Sequence, residues 1–329
     1  MQKHILVTGG AGYIGSHVCK ALKQNGYVPV VYDNLCSGNS SAVKWGPFIE
    51  GDIRDRALLS AAIAKYNPVA IMHFAALIQV GESVNNPSLY YNNNVYGSFC
   101  LLDAAREHNI KHMVFSSTAA VYGLSEVSPI PEDTVKKPIN PYGQTKLMME
   151  QMIYDYATAY GLNYAVLRYF NAAGADPEGD AGTAYKVDTH IIPLLMRVAS
   201  KLMPQIKVFG TDYNTPDGTA IRDYIHVTDL AEAHILSLNH ILAGKNSLIL
   251  NIGTNNGLSV AEVIETARRV TGQDIPEILS ERRAGDPPIL VAEASNAQNI
   301  LNWVPRYSDI DTIVKTAWGW RQKQNKEKL

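Results

Sequence analysis

Tyr142 and Lys146, in Tyr142-Gly143-Gln144-Thr145-Lys146, form the only Y-x-x-x-K of the chain. Residues four apart share a helix face, so the phenol and the ammonium lie on adjacent turns. A free tyrosine ionises near about pH 10, too high for a base at neutral pH. A neighbouring cation favours the phenolate and lowers that value. Asn140-Pro141 predicts a helix that begins just before Tyr142, so its dipole pushes the same way. The competing reading is a solvated Tyr–Lys pair on a surface helix. Thr118, in Phe115-Ser116-Ser117-Thr118-Ala119-Ala120-Val121-Tyr122-Gly123, adds a hydroxyl. It serves a substrate hydroxyl or the Tyr142 oxygen, or else bonds its own backbone. A base, a hydroxyl and a hydride acceptor are enough to oxidise an alcohol and reduce the ketone again.

The acceptor is announced near the start, in Ile5-Leu6-Val7-Thr8-Gly9-Gly10-Ala11-Gly12-Tyr13-Ile14-Gly15. The apolar stretch reads as a strand buried on both faces of a parallel sheet. Gly9, Gly12 and Gly15 permit a tight turn and close approach of a ligand. Ile14, Val18, Ala21 and Leu22 recur at helical spacing, so a helix opens inside the run. Its bare N–H groups suit a pyrophosphate. The spacing is G-x-x-G-x-x-G, not G-x-G-x-x-G. Val28 to Tyr32 predicts a second strand with Asp33 at its end, about 20 residues after the glycines, where an acid meets the adenosine ribose. An acid there repels a 2′-phosphate, which favours NAD over NADP. Asp52, after a third strand from Pro47 to Glu50, is either a partner of the adenine edge or the N-cap of the next helix.

These residues need a scaffold, and the pattern supplies one. Helices are expected over 55–66, 97–108 and 143–160, and strands over 69–74, 113–115 and 164–167. Alternation of this kind predicts an α/β fold with a doubly wound, Rossmann-type parallel sheet. After Asn171 the texture changes. Residues 172–190 read as loop, 191–202 as an apolar-faced helix, and Ser259 to Glu262 as a capping box with Gly272 as the helix stop. The expected division is a dinucleotide-binding domain of 1–171 plus about 221–253, and a smaller substrate domain of 172–220 plus about 254–329. The 329 residues carry a net charge of −2, which gives no footprint for nucleic acid or anionic membranes. No stretch is apolar enough to span a bilayer. The early core strand leaves no room for a signal peptide. Three scattered cysteines, Cys19, Cys36 and Cys100, suit a reducing compartment, and a cytoplasmic protein is expected. Neither cysteines nor histidines show metal-ligand spacing, so no catalytic metal is expected. The mixed charges of Arg321 to Lys328 read as a frayed end.

The glycine run, His73-Phe74-Ala75-Ala76, the Ser-Ser-Thr segment, Tyr142 to Lys146 and Arg222-Asp223-Tyr224-Ile225-His226-Val227 together resemble the extended short-chain dehydrogenase/reductase family. The likeness is greatest to its nucleotide-sugar epimerases. It covers nearly the whole chain and includes Gly81-Glu82-Ser83, Arg168-Tyr169-Phe170-Asn171 and Arg283-Ala284-Gly285-Asp286. Related dehydratases carry Asp-Glu directly after the threonine, and related decarboxylases a Glu at the second place. Here both places are alanine, Ala119 and Ala120, which transfer no proton.

The resemblance implies interconversion of UDP-glucose and UDP-galactose through a transient 4-keto sugar, with tightly held NAD. Tyr142 takes the 4-hydroxyl proton as hydride leaves C4, Thr118 orients that hydroxyl, and Lys146 holds the nicotinamide ribose. The cofactor is expected against Gly9, Gly12, Tyr13, Ile14, Gly15, Asp33, Asn34, Asp52 and Ile53, and against Phe74, Ala75, Asn94, Ser116 and Tyr169. Arg222 and Arg283 correspond to a diphosphate clamp, with Asp286 beside them. Asn171 and His190 fall on the diphosphate or sugar, and Phe209 faces the uracil. Leu290 is either a gate beside C2 of the sugar or plain strand core. Ile78 stands where some relatives carry lysine. A homodimer through the helices 97–108 and 143–160 is implied. The competing functions are a 4-epimerase acting mainly on UDP-N-acetylglucosamine and UDP-N-acetylgalactosamine, a non-catalytic NAD-binding regulator, and a reductase that releases NADPH.

Overall fold

A computed structural model describes residues 2–183, 188–283 and 285–326. Ala284 of the Arg283–Asp286 segment therefore lies outside the described residues, as do Glu327 and Lys328. Seven parallel strands form one sheet, in the order Leu248–Ile252, Asn163–Tyr169, His112–Thr118, Ala70–His73, Lys3–Thr8, Tyr27–Asp33 and Phe48–Glu50. Ile5, Leu6 and Val7 are fully buried, as a strand covered on both faces requires. Val18 and Leu22 of the helix Tyr13–Gln24 pack with Leu230 and Leu238 of the helix Val227–Leu242 on one side. On the other, Leu59 and Ile63 of Arg56–Tyr66 pack with Leu101 of Gly97–Glu107 and Met149 of Pro141–Tyr160. The strand order reverses between Lys3–Thr8 and Ala70–His73, which opens a crevice at their carboxyl ends.

The smaller part is built from short strands. Ile221–Arg222 pairs with Leu258–Ser259 and Ile289–Leu290, and Ile206–Phe209 pairs with Glu277–Ser280. Ile192, Leu195, Val263, Ile264, Ile313 and Val314 form its core. The expected capping box at Ser259 and Glu262 is present, and Gly272 ends that helix in the left-handed region at φ 63°. The region 172–190 is not all loop, because Asn171–Ala173 pairs with Tyr224–His226. Arg321 to Lys326 is not frayed: it forms the end of the helix Ile310–Lys326. Trp320 anchors that end by donating to Thr183 O at 2.8 Å. No helix among the described residues is long and apolar enough to cross a membrane. One acidic group, Asp176, Glu178 and Asp180, has metal-like spacing. Lys20 Nζ sits among its carboxylates at 2.7, 2.6 and 3.0 Å, which supplies the cation and ties the first helix to this loop.

Candidate active site

Asn140 caps the helix Pro141–Tyr160, its side chain accepting from Gly143 N at 2.9 Å with Pro141 in the first turn. Tyr142 therefore starts a regular helix, and Tyr142, Lys146 and Glu150 follow one another on a single face. That face lies against the strand His112–Thr118, whose last residues turn into the short helix Ala119–Val121. Thr118 accepts from Ala120 N at 3.1 Å and also reaches the Tyr142 phenol, so the backbone and phenol contacts coexist. Lys146 is almost fully buried. Its Nζ donates to Ser116 O at 2.8 Å and lies 4.9 Å from the centre of the Phe115 ring.

Burial sets the electrostatics of this pair, and on Tyr142 it acts against the lowering expected from neighbouring positive charge. Tyr142 is pushed up to about 12 by desolvation, and the Thr118 contact only partly offsets this. Lys146 is pushed down to about 7 by the same burial, with the Glu150 carboxylate pulling it back. Each group alone prefers to be neutral.

Sequence reasoning missed Glu150 and the role of Arg168. Arg168 grips Glu150 through Nη2 to Oε2 at 2.6 Å and Nε to Oε1 at 3.0 Å. Ser117 Oγ donates to Glu150 Oε1 at 2.5 Å. Ser117 thus fixes the strand that carries Thr118 to the helix that carries Tyr142, and Arg168 fixes the neighbouring strand Asn163–Tyr169 to the same carboxylate. The available signal was the carboxylate four residues beyond Lys146. His73 was also passed over. It joins Thr8 Oγ1 at 2.7 Å to Ser98 Oγ at 2.8 Å, and burial holds it neutral at about 3.

The crevice opens into a cavity of about 430 Å³ that contains Thr118, Tyr142, Lys146, Ser116 and Tyr169. The glycine run forms its floor through Gly9, Gly12, Tyr13, Ile14 and Gly15. Gly9 has φ +75°, and a Cβ there would lie 2.5 Å from Ala75 N; one on Gly15 would lie 2.3 Å from Gly9 O. A Cβ on Gly12 would meet nothing closer than 3.2 Å. Two glycines thus close the turn, and the third leaves its surface bare for a ligand. Asp33 and Asn34 line the same cavity, with Ile53, Phe74, Ala75 and Ile78. Asp33 accepts from Ala11 N at 3.0 Å and Leu35 N at 2.9 Å, which offsets the upward push of burial on its carboxyl. A cradle of bare helix N–H groups with a carboxylate at the second strand end fits a dinucleotide without a 2′-phosphate.

Several expected residues stand behind the cavity wall. Asp52 is held by Arg54 and by Asn34 Nδ2 at 3.0 Å, with Arg54 driving its carboxyl well below the usual range. It is not the helix cap: Asp55 accepts from Leu58 N at 3.0 Å instead. Asn94 is fully buried, and its amide bonds Leu77 N at 2.8 Å, Leu77 O at 3.0 Å and Thr145 Oγ1 at 3.1 Å. It braces the segment that faces the cavity. Asn171 Nδ2 donates to Asp223 O at 3.0 Å.

The opposite wall carries Asp286, Leu290 and His190. Asp286 links the two expected clamp arginines, Arg222 Nη2 at 2.5 Å and Arg283 Nε at 3.5 Å. Arg283 lies over the Phe209 ring at 4.7 Å, whereas Arg282 is committed to Asp212 and stacks on Tyr213. Leu290 sits opposite Arg222 in the strand register and packs beside Val121, Tyr122 and Ile130.

Residues 5–253 match the family model described as NAD dependent epimerase/dehydratase family. The chain is 49% identical over 321 residues to the UDP-glucose 4-epimerase of Rhizobium leguminosarum bv. trifolii, covering 98% of each. It superposes on the crystal structure of UDP-glucose 4-epimerase from Brucella ovis in complex with NAD at a TM-score of 0.94 and 50% identity, covering 96% of this chain and 98% of that one. The UDP-Glc/GlcNAc 4-epimerase of Campylobacter jejuni gives a TM-score of 0.86 and 38% identity, over 98% and 99%.

Proposed function

Because the chain belongs to the NAD dependent epimerase/dehydratase family, we infer that it is an NAD-dependent nucleotide-sugar 4-epimerase. It interconverts UDP-glucose and UDP-galactose through a transient 4-keto sugar. One observation carries this reading: Thr118 and Tyr142 meet in the cavity with Ala119 and Ala120 beside them. Alcohol chemistry is supplied there, while the acids that would eliminate water or assist decarboxylation are missing.

NAD, when bound, accepts the C4 hydrogen as hydride and returns it to the other face. Gly9 to Gly15, Asp33, Asn34, Ile53, Phe74, Ala75, Ser116 and Tyr169 are the residues proposed to hold it. Asp52 and Asn94 support that set from behind. Tyr142 takes the proton of the 4-hydroxyl and later returns it, Thr118 holds that hydroxyl, and Lys146 keeps the phenolate accessible. Arg222 and Arg283 grip the diphosphate, released in turn from Asp286, while Phe209, Asn171 and His190 hold the nucleotide and sugar. The sugar itself is held loosely enough to turn over.

The proposed division of roles follows the chain: residues 1–171 plus about 221–253 hold the cofactor, and residues 172–220 plus about 254–329 the nucleotide sugar. A homodimer is proposed through Gly97–Glu107 and Pro141–Tyr160, where Phe99, Met148 and Tyr154 are exposed. Light scattering reads its mass directly. Cys19, Cys36 and Cys100 are free thiols, consistent with a reducing cytoplasm.

Purified protein incubated with UDP-galactose yields UDP-glucose without added cofactor, and denaturation releases NAD. Protein that purifies empty and needs NADP would overturn the reading.

A further inference from the structure

The last helix, Ile310–Lys326, also contributes to the cavity. Trp320 and Arg321 line it, with Thr183, Thr189 and His190. Trp320 is seated firmly, because a Cβ on Gly182 would come within 2.4 Å of its ring. Arg321 next to it is therefore held at the wall, with 13% of its side chain exposed.

The charges here do not balance. Asp188, itself buried, faces Arg321 at 3.6 Å and Arg197 also at 3.6 Å. Two guanidinium groups share one carboxylate, and both contacts are longer than a hydrogen bond. Arg197 Nε is buried without a hydrogen-bond partner among the described residues. Guanidinium is a fork of five donors, and donors left unmade in a dry site are costly. Burial lowers the pKa of Arg321, with Asp188 opposing, so the site favours an incoming anion. The helix Ile191–Ala199 starts at the same place. His190 is its N-cap and makes no side-chain cap bond, which leaves the first-turn N–H groups, the positive end of the helix dipole, without a side-chain cap. Among the described residues that line the cavity, Arg321 is the side chain that stays cationic, since burial lowers Lys146 to about 7. Lys146 is occupied beside Tyr142.

We propose that Arg321 is an anion-binding residue of this cavity, pairing a diphosphate oxygen with its surplus guanidinium charge. This rests on the function inferred above, whose cofactor and substrate both carry a diphosphate. The chemistry they share is what Arg321 recognises, and binding measurements separate the two sources.

Arg321→Gln keeps the shape and removes the charge. Two quantities are read on the purified holoenzyme: the rate at which NAD is lost on dilution, and the Kd for UDP by calorimetry. If the partner is the cofactor diphosphate, NAD loss accelerates about tenfold and UDP binding is unchanged. If it is the nucleotide-sugar diphosphate, the Kd for UDP rises about tenfold, that for uridine stays constant, and NAD is retained. Asp188→Asn enlarges the surplus and shifts the same quantity the opposite way, which covers the case of a poorly folded Arg321→Gln. Unchanged NAD loss and UDP affinity in both variants, or equal weakening of UDP and uridine, overturns the proposal. Wild-type protein that holds neither NAD nor UDP would instead refute the function itself.

Discussion

On one wall of the cavity, Thr118 ends a seven-residue strand, and Tyr142 and Lys146 ride a helix of 20 residues. On the other, Leu290 sits on a strand of two residues; Arg222, on a strand of two, and Arg283, outside regular structure, reach that wall through Asp286, with Phe209 on a strand of four. The first wall is dry and fully braced: Lys146 is 2% exposed, and Ser117 bonded to Glu150 ties its two elements together. The second is open, with 62% of the Arg283 side chain exposed and its charge lent to Asp286. Proton transfer needs atoms placed to a fraction of an ångström. A substrate that must present both faces of its sugar needs grips that form and release. The division of rigidity follows the division of labour.

If the first wall does the chemistry, its variants damage turnover and spare binding. Tyr142→Phe removes the proton acceptor and should lower kcat by roughly 10²- to 10⁴-fold. The Kd for UDP should stay within about twofold of wild type, since phenylalanine fills the same space. A variant that loses binding and turnover in parallel would erase the contrast between the walls.

Lys146→Met sharpens the electrostatic half of the comparison. Burial holds Tyr142 at about 12 and Lys146 at about 7 when each is considered alone. Phenolate and ammonium support one another, so the two titrate as a pair. The remaining neighbours are the paired Glu150 and the neutral His73. Removing the cation leaves the Tyr142 pKa higher, so the pH at which activity appears should move upward as the rate falls. A pH–rate profile measures this, and an unchanged or acid-shifted limb would contradict it.

The smallest effect belongs to the second wall. Leu290→Tyr adds bulk beside the sugar on a two-residue strand. It should reduce kcat/KM for UDP-N-acetylgalactosamine by a larger factor than for UDP-galactose, because the clash falls on one substrate. The wild-type protein should turn over both, the N-acetyl sugar more weakly. Equal losses would mean that Leu290 is core and not gate.

The sequence was most legible where local rules dominate. Alternating apolar runs predicted the parallel sheet, and Asn140-Pro141, Ser259–Glu262 and Gly272 marked helix ends that side-chain caps and a left-handed residue confirm. It was least legible where the chain meets itself at long range. The pairing of Asn171–Ala173 with Tyr224–His226 depends on segments about 50 residues apart, and nothing local announces it. The helix end at Arg321 is settled by Trp320 reaching Thr183, 137 residues away. In the site, Y-x-x-x-K was plain, but the sign of the pKa shifts was not, because desolvation of the Tyr142 phenol outweighs the opposing Thr118 contact. Asp55 took the cap role considered for Asp52, since Arg54 had already claimed that carboxylate.

The central claim is that the C4 hydrogen would pass as hydride to enzyme-held NAD and back to C4 without exchange with water, while Tyr142 handles only the hydroxyl proton. UDP-galactose carrying deuterium at C4 tests it directly. The account predicts UDP-glucose that retains the deuterium at C4, and no deuterium at that carbon when unlabelled substrate is turned over in heavy water. Loss of the label to solvent, or its uptake from solvent at C4, would contradict it.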